Sequence, residues 1–231
     1  MNPKTSTSHP IRVDFLKSKE FPVLNRLGLT FAPGKRQSGA LTGNWDRDLK
    51  SDIETLRNKY KVDTLISLVE DFELEELKIT NLVEVCLDNG LDIIRFPIPD
   101  GSVPELDEDF EDLTMEIRAR LEAGETVVIH CKGGLGRAGT IAACIVLEAS
   151  DVEIDPDEAI RLVREARPGA VENELQEAFI EDFACVSNTS HFLIYLNELD
   201  VFELVGRGEP LRLLPGNDFS EVFTGDTLWA V

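Results

Sequence analysis

The 231-residue sequence has no C-x-x-C pair, no internal repeat, few cations and no apolar stretch longer than Ile141–Leu147. Each absence narrows the possibilities. That stretch falls far short of the ~20 residues needed to cross a bilayer, and MNPKTSTSHP lacks the apolar segment of a secretory signal. We therefore expect a soluble, cytoplasmic protein. Cys86, Cys131, Cys144 and Cys185 are far apart, and the three histidines, His9, His130 and His191, are scattered, so neither a disulfide framework nor a metal site is signalled. Cys86, Cys144 and Cys185 lie among Val, Ala, Ile and Phe and read as small buried hydrophobes. With 23 basic against 44 acidic residues the net charge is −21, a field that disfavours nucleic acid and anionic membranes as partners. Any site for an anion must then be built locally.

Alternating strand and helix patterns predict an α/β fold with a parallel sheet layered by helices. Residues 1–10 are polar and expected to fray. Ile11–Leu16 and Leu24–Phe31 are candidate strands, followed by a Gly-rich loop, Pro33–Gly43. A helix is expected over Asp46–Tyr60, spaced by Leu49, Ile53 and Leu56. Val62–Val69 and Thr126–His130 read as strands covered on both faces, and Asp92–Ile98 as a further strand. Other helices are expected at Leu82–Asn89, Pro104–Ala123 with proline in its first turn, Gly136–Ser150, Asp155–Arg167 and Val171–Ser187. These elements place one domain over residues 11–187. Residues 188–231 form a C-terminal extension, a small β-rich appendage or a partner-binding tail.

The stretch His130–Thr140, HCKGGLGRAGT, admits two spellings. Read from Gly134 it is the G-x-G-x-x-G of a dinucleotide-binding turn, which should open the first βαβ unit and be followed by a second strand ending in an acidic residue. Here the turn comes after at least two strands, and only the short Val152–Ile154 follows as a strand candidate. Read from Cys131 it is a cysteine, five residues and Arg137, set between a buried strand and an apolar helix. Glycines at 133, 134 and 136 let the loop wrap an anion, and the helix N-terminus adds partial positive charge. Arg137 supplies a planar fork for two phosphate oxygens. The second spelling is the better supported.

That loop closely resembles H-C-x-x-G-x-x-R of the protein tyrosine phosphatase superfamily. Together with LGLTFAPGK near the N-terminus and PIPDG at 97–101, it looks like the dual-specificity phosphatases related to the cyclin-dependent-kinase-associated phosphatase. The resemblance covers roughly residues 24–185. It implies a four- or five-stranded parallel sheet with helices on both sides, and no metal or organic cofactor. It also implies hydrolysis of phosphoproteins, on tyrosine and potentially serine/threonine, through a phosphocysteine.

In that reading Cys131 is the nucleophile, and Lys132, Gly133, Gly134, Leu135, Gly136 and Arg137 bind the phosphoryl oxygens. Asp100 lies just past its strand, in a loop stiffened by Pro97, Pro99 and Pro104. If the strands are parallel it emerges at the same sheet edge as Cys131, and it matches the general-acid aspartate of P-I-x-D-G. Asp107, Asp109 and Glu105 fall on the following helix, where they suit its dipole. Gln176 either orients water for the second step or is a helix-surface residue. His130 props the loop, and Lys132 stands at its rim. Glu70 either pairs with Arg137 or is a solvated loop carboxylate.

One departure stands out. The family usually has serine or threonine directly after the arginine, whereas this chain has Ala138, as the phosphatases of regenerating liver do. A missing hydroxyl there slows departure of the sulfur, so a slow phosphoprotein-binding module is the alternative to a hydrolase. A lipid phosphatase is less favoured, since Lys132 is the loop's only lysine and the chain is acidic.

Overall fold

The computed structural model describes residues 2–40, 42–150, 154–198, 203–204 and 211–212. Most of the strand candidate Val152–Ile154 lies outside the described residues. A five-stranded sheet has the order β1-β2-β7-β5-β6, with β1 (Asp14–Phe15), β2 (Leu27–Phe31), β5 (Thr64–Ser67), β6 (Asp92–Arg95) and β7 (Val127–Cys131). All neighbours are parallel except β1, which runs antiparallel to β2 at the edge. The expected sheet is therefore mostly parallel, and Ile11–Leu16 contributes only two residues to it. Leu24–Phe31 is likewise divided, because Pro22–Arg26 forms a 3₁₀ turn before β2 begins.

The central strands β5 and β7 are buried at every position, as their β-branched runs require. Alternating side chains serve two cores. Ile66, Val127 and Ile129 pack with α4 (Glu108–Glu122), α5 (Gly136–Ala149), α6 (Pro156–Ala166) and the first turns of α7 (Glu174–Glu198). Leu65 and Val128 face α1 (Leu49–Asn58), α2 (Asp71–Glu76) and α3 (Leu82–Asp88). Helix α5 is buried from Gly136 through Leu147, so it is the apolar centre of its layer.

Three details depart from the sequence expectation. The loop Pro33–Gly43 contains a strand, β3 (Arg36–Ala40), which pairs antiparallel with β4 (Gly43–Asp46). Residues 2–10, expected to fray, are tied to that hairpin: the Lys4 N–H donates to the Asn44 carbonyl at 2.8 Å, and the Asp46 N–H to the Lys4 carbonyl at 3.1 Å. Helix α4 starts at Glu108, not Pro104, because the Asp107 carboxylate accepts the Phe110 N–H at 3.0 Å and caps it there. Cys86 and Cys144 are buried as expected, but Cys185 is exposed.

The chain divides into two units, residues 1–184 and 185–231. Helix α7 runs through Asn188, where the sequence suggested a boundary, and the second unit includes a two-stranded pair, β8 (Glu203–Leu204) with β9 (Leu211–Arg212).

A buried ion pair anchors the turn after β2. Arg47 and Asp52, 0% and 1% exposed, meet at 2.7 Å and 2.8 Å, and Asp52 also accepts the Gly34 N–H at 2.8 Å. Gly34 has φ +70, and a side chain there would run into Leu49. Removing one member of such a pair strands the other charge away from water. We expect Asp52→Ala to cost about 3–5 kcal/mol, read as a lower urea midpoint; a loss under ~1 kcal/mol would show that the pair contributes little.

Candidate active site

Parallel strands deliver their following loops to one edge of the sheet. In register, Phe31 of β2 pairs with Cys131 of β7, and Ser67 of β5 pairs with His130 and with Arg95 of β6. Four loops therefore converge on Cys131.

Residues 132–135 turn directly from β7 into α5. Gly134 makes the tightest approach, with φ +72 and a virtual Cβ 2.2 Å from the Thr30 carbonyl oxygen, so no other residue fits. Its N–H donates to Cys131 Sγ at 3.2 Å. The loop carbonyls are held from outside. Lys132 O accepts from the Ala32 N–H at 3.4 Å and from Lys35 Nζ at 3.3 Å, and Gly133 O accepts from Arg167 Nη2 at 2.9 Å. Leu135 O accepts from the Gly139 N–H at 2.8 Å. Because a trans peptide points its N–H opposite its C=O, this turns the Gly133 and Gly134 amides inward, whereas the Gly136 N–H, expected to bind a phosphoryl oxygen, is taken by the Glu172 carboxylate.

Arg137, in the first turn of α5, is 2% exposed. Its Nη1 and Nη2 grip the Glu73 carboxylate at 2.6 and 2.9 Å, and Nη1 also reaches the carbonyls of Leu68 and Ile98 at 3.3 and 2.8 Å. Nη2 donates further to Asp100 Oδ1 at 2.8 Å. Arg137 Nε alone has no protein partner. Burial pushes the Glu73 carboxyl up, but hydrogen bonds from Arg137 and the Glu70 N–H, with the guanidinium charge, hold it below the usual carboxylate range.

The partner considered for Arg137 was Glu70; the structure supplies Glu73 instead. Glu70 is the N-cap of α2, reciprocally bonded with Glu73 in a capping box, and one helical turn carries the Glu73 side chain under the guanidinium. Asp100 stands beside Arg137 and is 62% exposed. Lys132 turns away to Glu76, 3.2 Å off. His130 is fully buried, and its Nδ1–H donates to the Cys131 carbonyl at 3.3 Å. Burial lowers its pKa to about 4, so it is neutral near pH 7.

Gln176 is not a surface residue. It is wholly buried, and its Oε1 accepts the Glu172 N–H at 2.8 Å. Glu172, presented by Val171 at the strained φ of 57, puts Oε2 on the Gly136 N–H at 2.8 Å. Thr140 Oγ1 donates to Gly136 O at 3.0 Å, and Ala138 is buried without a hydroxyl. Among the described residues no three His, Cys, Asp or Glu side chains come together as a metal would need, and no helix is long and apolar enough to cross a membrane.

A cysteine sulfur beside inward amides, with an anchored arginine behind it, has the geometry of an oxyanion site. The family model of cyclin-dependent kinase inhibitor 3 matches residues 2–160. The chain belongs to the cyclin-dependent kinase inhibitor 3 family. Its member from Rattus norvegicus is 29% identical over 182 residues, spanning 78% of this chain and 82% of that protein. Protein tyrosine phosphatase type IVA 2 of Mus musculus is 29% identical over 122 residues, 48% of this chain and 70% of that one. Among solved structures, kinase associated phosphatase, with its catalytic-site cysteine replaced by serine, superposes with a TM-score of 0.67 at 25% identity, covering 77% of this chain and 96% of that one. The relatives and neighbours are thus protein tyrosine and dual-specificity phosphatases, as the loop motif suggested.

Sequence reasoning missed four residues that hold this site in the cyclin-dependent kinase inhibitor 3 family member: Lys35, Glu73, Arg167 and Glu172. Glu73 carried a signal, since Glu70 and Glu73 have the spacing of a capping box. The others reach the loop only through tertiary contacts.

Proposed function

We propose that this protein hydrolyses phosphomonoesters on phosphoproteins, tyrosine and potentially serine/threonine, through a phosphocysteine. The observation that carries the reading is the free edge of Arg137. One edge of its guanidinium is committed to Glu73, which leaves Nε without a protein partner and one Nη2 hydrogen on Asp100. A phosphoryl group seated in the loop takes Nε and Nη2 as a fork and displaces Asp100, as the carboxylic acid, toward the leaving oxygen. Cys131 then attacks phosphorus: the S–P bond forms, the P–O bond breaks, and Asp100 gives its proton to the departing oxygen. Inward amides and Arg137 neutralise the equatorial oxygens throughout. Water completes the cycle by attacking phosphorus: the O–P bond forms, the S–P bond breaks to give back the thiolate, and the water's proton passes to the Asp100 carboxylate left by the first step, while Gln176 holds the Glu172 backbone beside the loop.

A second reading, a phosphoprotein binder that turns over slowly, is favoured by Ala138. Thr140, the nearest following hydroxyl, donates to Gly136 O and leaves the sulfur without its help. A hydrogen bond to a charged group is worth about 1.5–3 kcal/mol, or roughly 10–100-fold in rate if formed fully in the transition state. Dephosphorylation should therefore limit the enzyme, with a burst of about one alcohol per site before a slower steady rate. Ala138→Ser should raise the steady rate and leave the burst unchanged. Rapid mixing with an aryl phosphate decides: repeated turnover supports the hydrolase, a single product per chain supports the binder, and no burst with no gain in the variant removes the slow second step.

A further inference from the structure

Lys35 is 5% exposed, an unusual place for an ammonium with no carboxylate against it. Its Nζ lies 4.5 Å from the Trp45 ring centroid and 4.9 Å from that of Phe31, and donates to Lys132 O, the carbonyl immediately after the nucleophile. The turn that delivers it is rigid: Gly34 is pinned to Asp52, and Asp52 to Arg47. An aromatic slot and an anchored turn thus aim one cation at one peptide of the loop.

We propose that Lys35 is a positioning residue for the phosphoryl site: it fixes the Lys132–Gly133 peptide with its N–H toward the bound oxyanion and adds a second buried positive charge to that of Arg137. The next peptide shows the same device. Arg167 holds Gly133 O, and the following N–H, that of Gly134, points inward to Cys131 Sγ. Arg167 is itself neutralised by Asp14 at 2.6 Å, whereas Lys35 forms no ion pair among the described residues, so its charge remains for the anion.

The charge has a pH limit. Burial lowers the Lys35 pKa to about 8; the Cys131 thiolate holds its proton on, while Arg47, Arg167 and Lys4 push it off. A bound dianion reinforces the thiolate's role. Oxyanion affinity should therefore be full below pH 8 and fall as the pH rises through that value, the direction expected when a cation is lost.

The inference rests on the phosphatase reading, and tungstate, which does not titrate in this range, separates the two. Binding is measured by calorimetry from pH 6.5 to 9.5 with Cys131→Ser, which removes the sulfur beside the anion, and with the double variant Cys131→Ser, Lys35→Met. The single variant should bind at pH 6.5 and weaken at or slightly below pH 8, since the sulfur that supported the ammonium is gone. The double variant should bind roughly tenfold or more weakly at pH 6.5, with no such fall. Affinity of the single variant that is flat across this range overturns the Lys35 proposal, even where Lys35→Met fails to fold. Absence of tungstate binding by Cys131→Ser at pH 6.5 overturns the phosphatase reading itself.

Discussion

Cys131→Ser should abolish turnover and leave the oxyanion site standing. The serine hydroxyl is not ionised near neutral pH, so the attack on phosphorus has no nucleophile. Nothing else that holds the anion depends on sulfur. Arg137 is fixed by Glu73 and by the Leu68 and Ile98 carbonyls, and the loop peptides are gripped from outside by Ala32, Lys35 and Arg167. A serine oxygen also accepts the Gly134 N–H that Sγ accepts now. Phosphate release from a phosphopeptide should drop to background, while vanadate still raises the thermal midpoint of the variant in proportion to its binding. Hydrolysis at the original rate would dismiss Cys131 as the nucleophile.

Asp100→Asn should slow esters of poor leaving groups by roughly 10²–10⁴, the usual reach of general acid catalysis. Activated aryl phosphates, whose leaving group needs little protonation, should slow much less. The substitution is a clean one here. Asparagine keeps an oxygen for Arg137 Nη2, now bonded to Asp100 Oδ1 at 2.8 Å, and the side chain is mostly exposed, so neither the arginine nor the fold loses a buried partner. The measurement is the slope of log kcat/KM against leaving-group pKa, which should steepen in the variant. An equal loss on both substrate types would assign Asp100 to holding Arg137, and the proton would have to come from elsewhere.

Much of the site was legible because its chemistry lies within short stretches. HCKGGLGR carries the proposed nucleophile, turn glycines and arginine within eight residues, and the buried run TVVIH before it announces a central strand. Asp100 was legible through topology, since parallel strands emerge at one edge. Glu73 was not legible because residues 70–81 carry no long periodic pattern and α2 is a helix of only six residues. A strand-end position seemed nearest to Arg137, but one helical turn moves the useful carboxylate three residues on. Of the two readings of Gln176, the helix-surface one fails, since the side chain is buried beside Gly136 with Nε2 left without a protein partner. Its helix begins at Glu174, which turns the amide inward beside Gly136 and brings Glu172 to the loop.

By itself the sequence determined the α/β layering, the phosphate-type loop and its family, because hydrophobic period, glycine placement and a local motif are properties of neighbouring residues. Tertiary structure alone decided which distant charges serve that loop. Lys35, Glu73 and Arg167 stand 97, 64 and 34 residues from the atoms they hold. No periodicity links such partners: they are selected by strand order, by the loops that a parallel sheet gathers at one edge, and by the need of buried charges and carbonyls for a bonding partner.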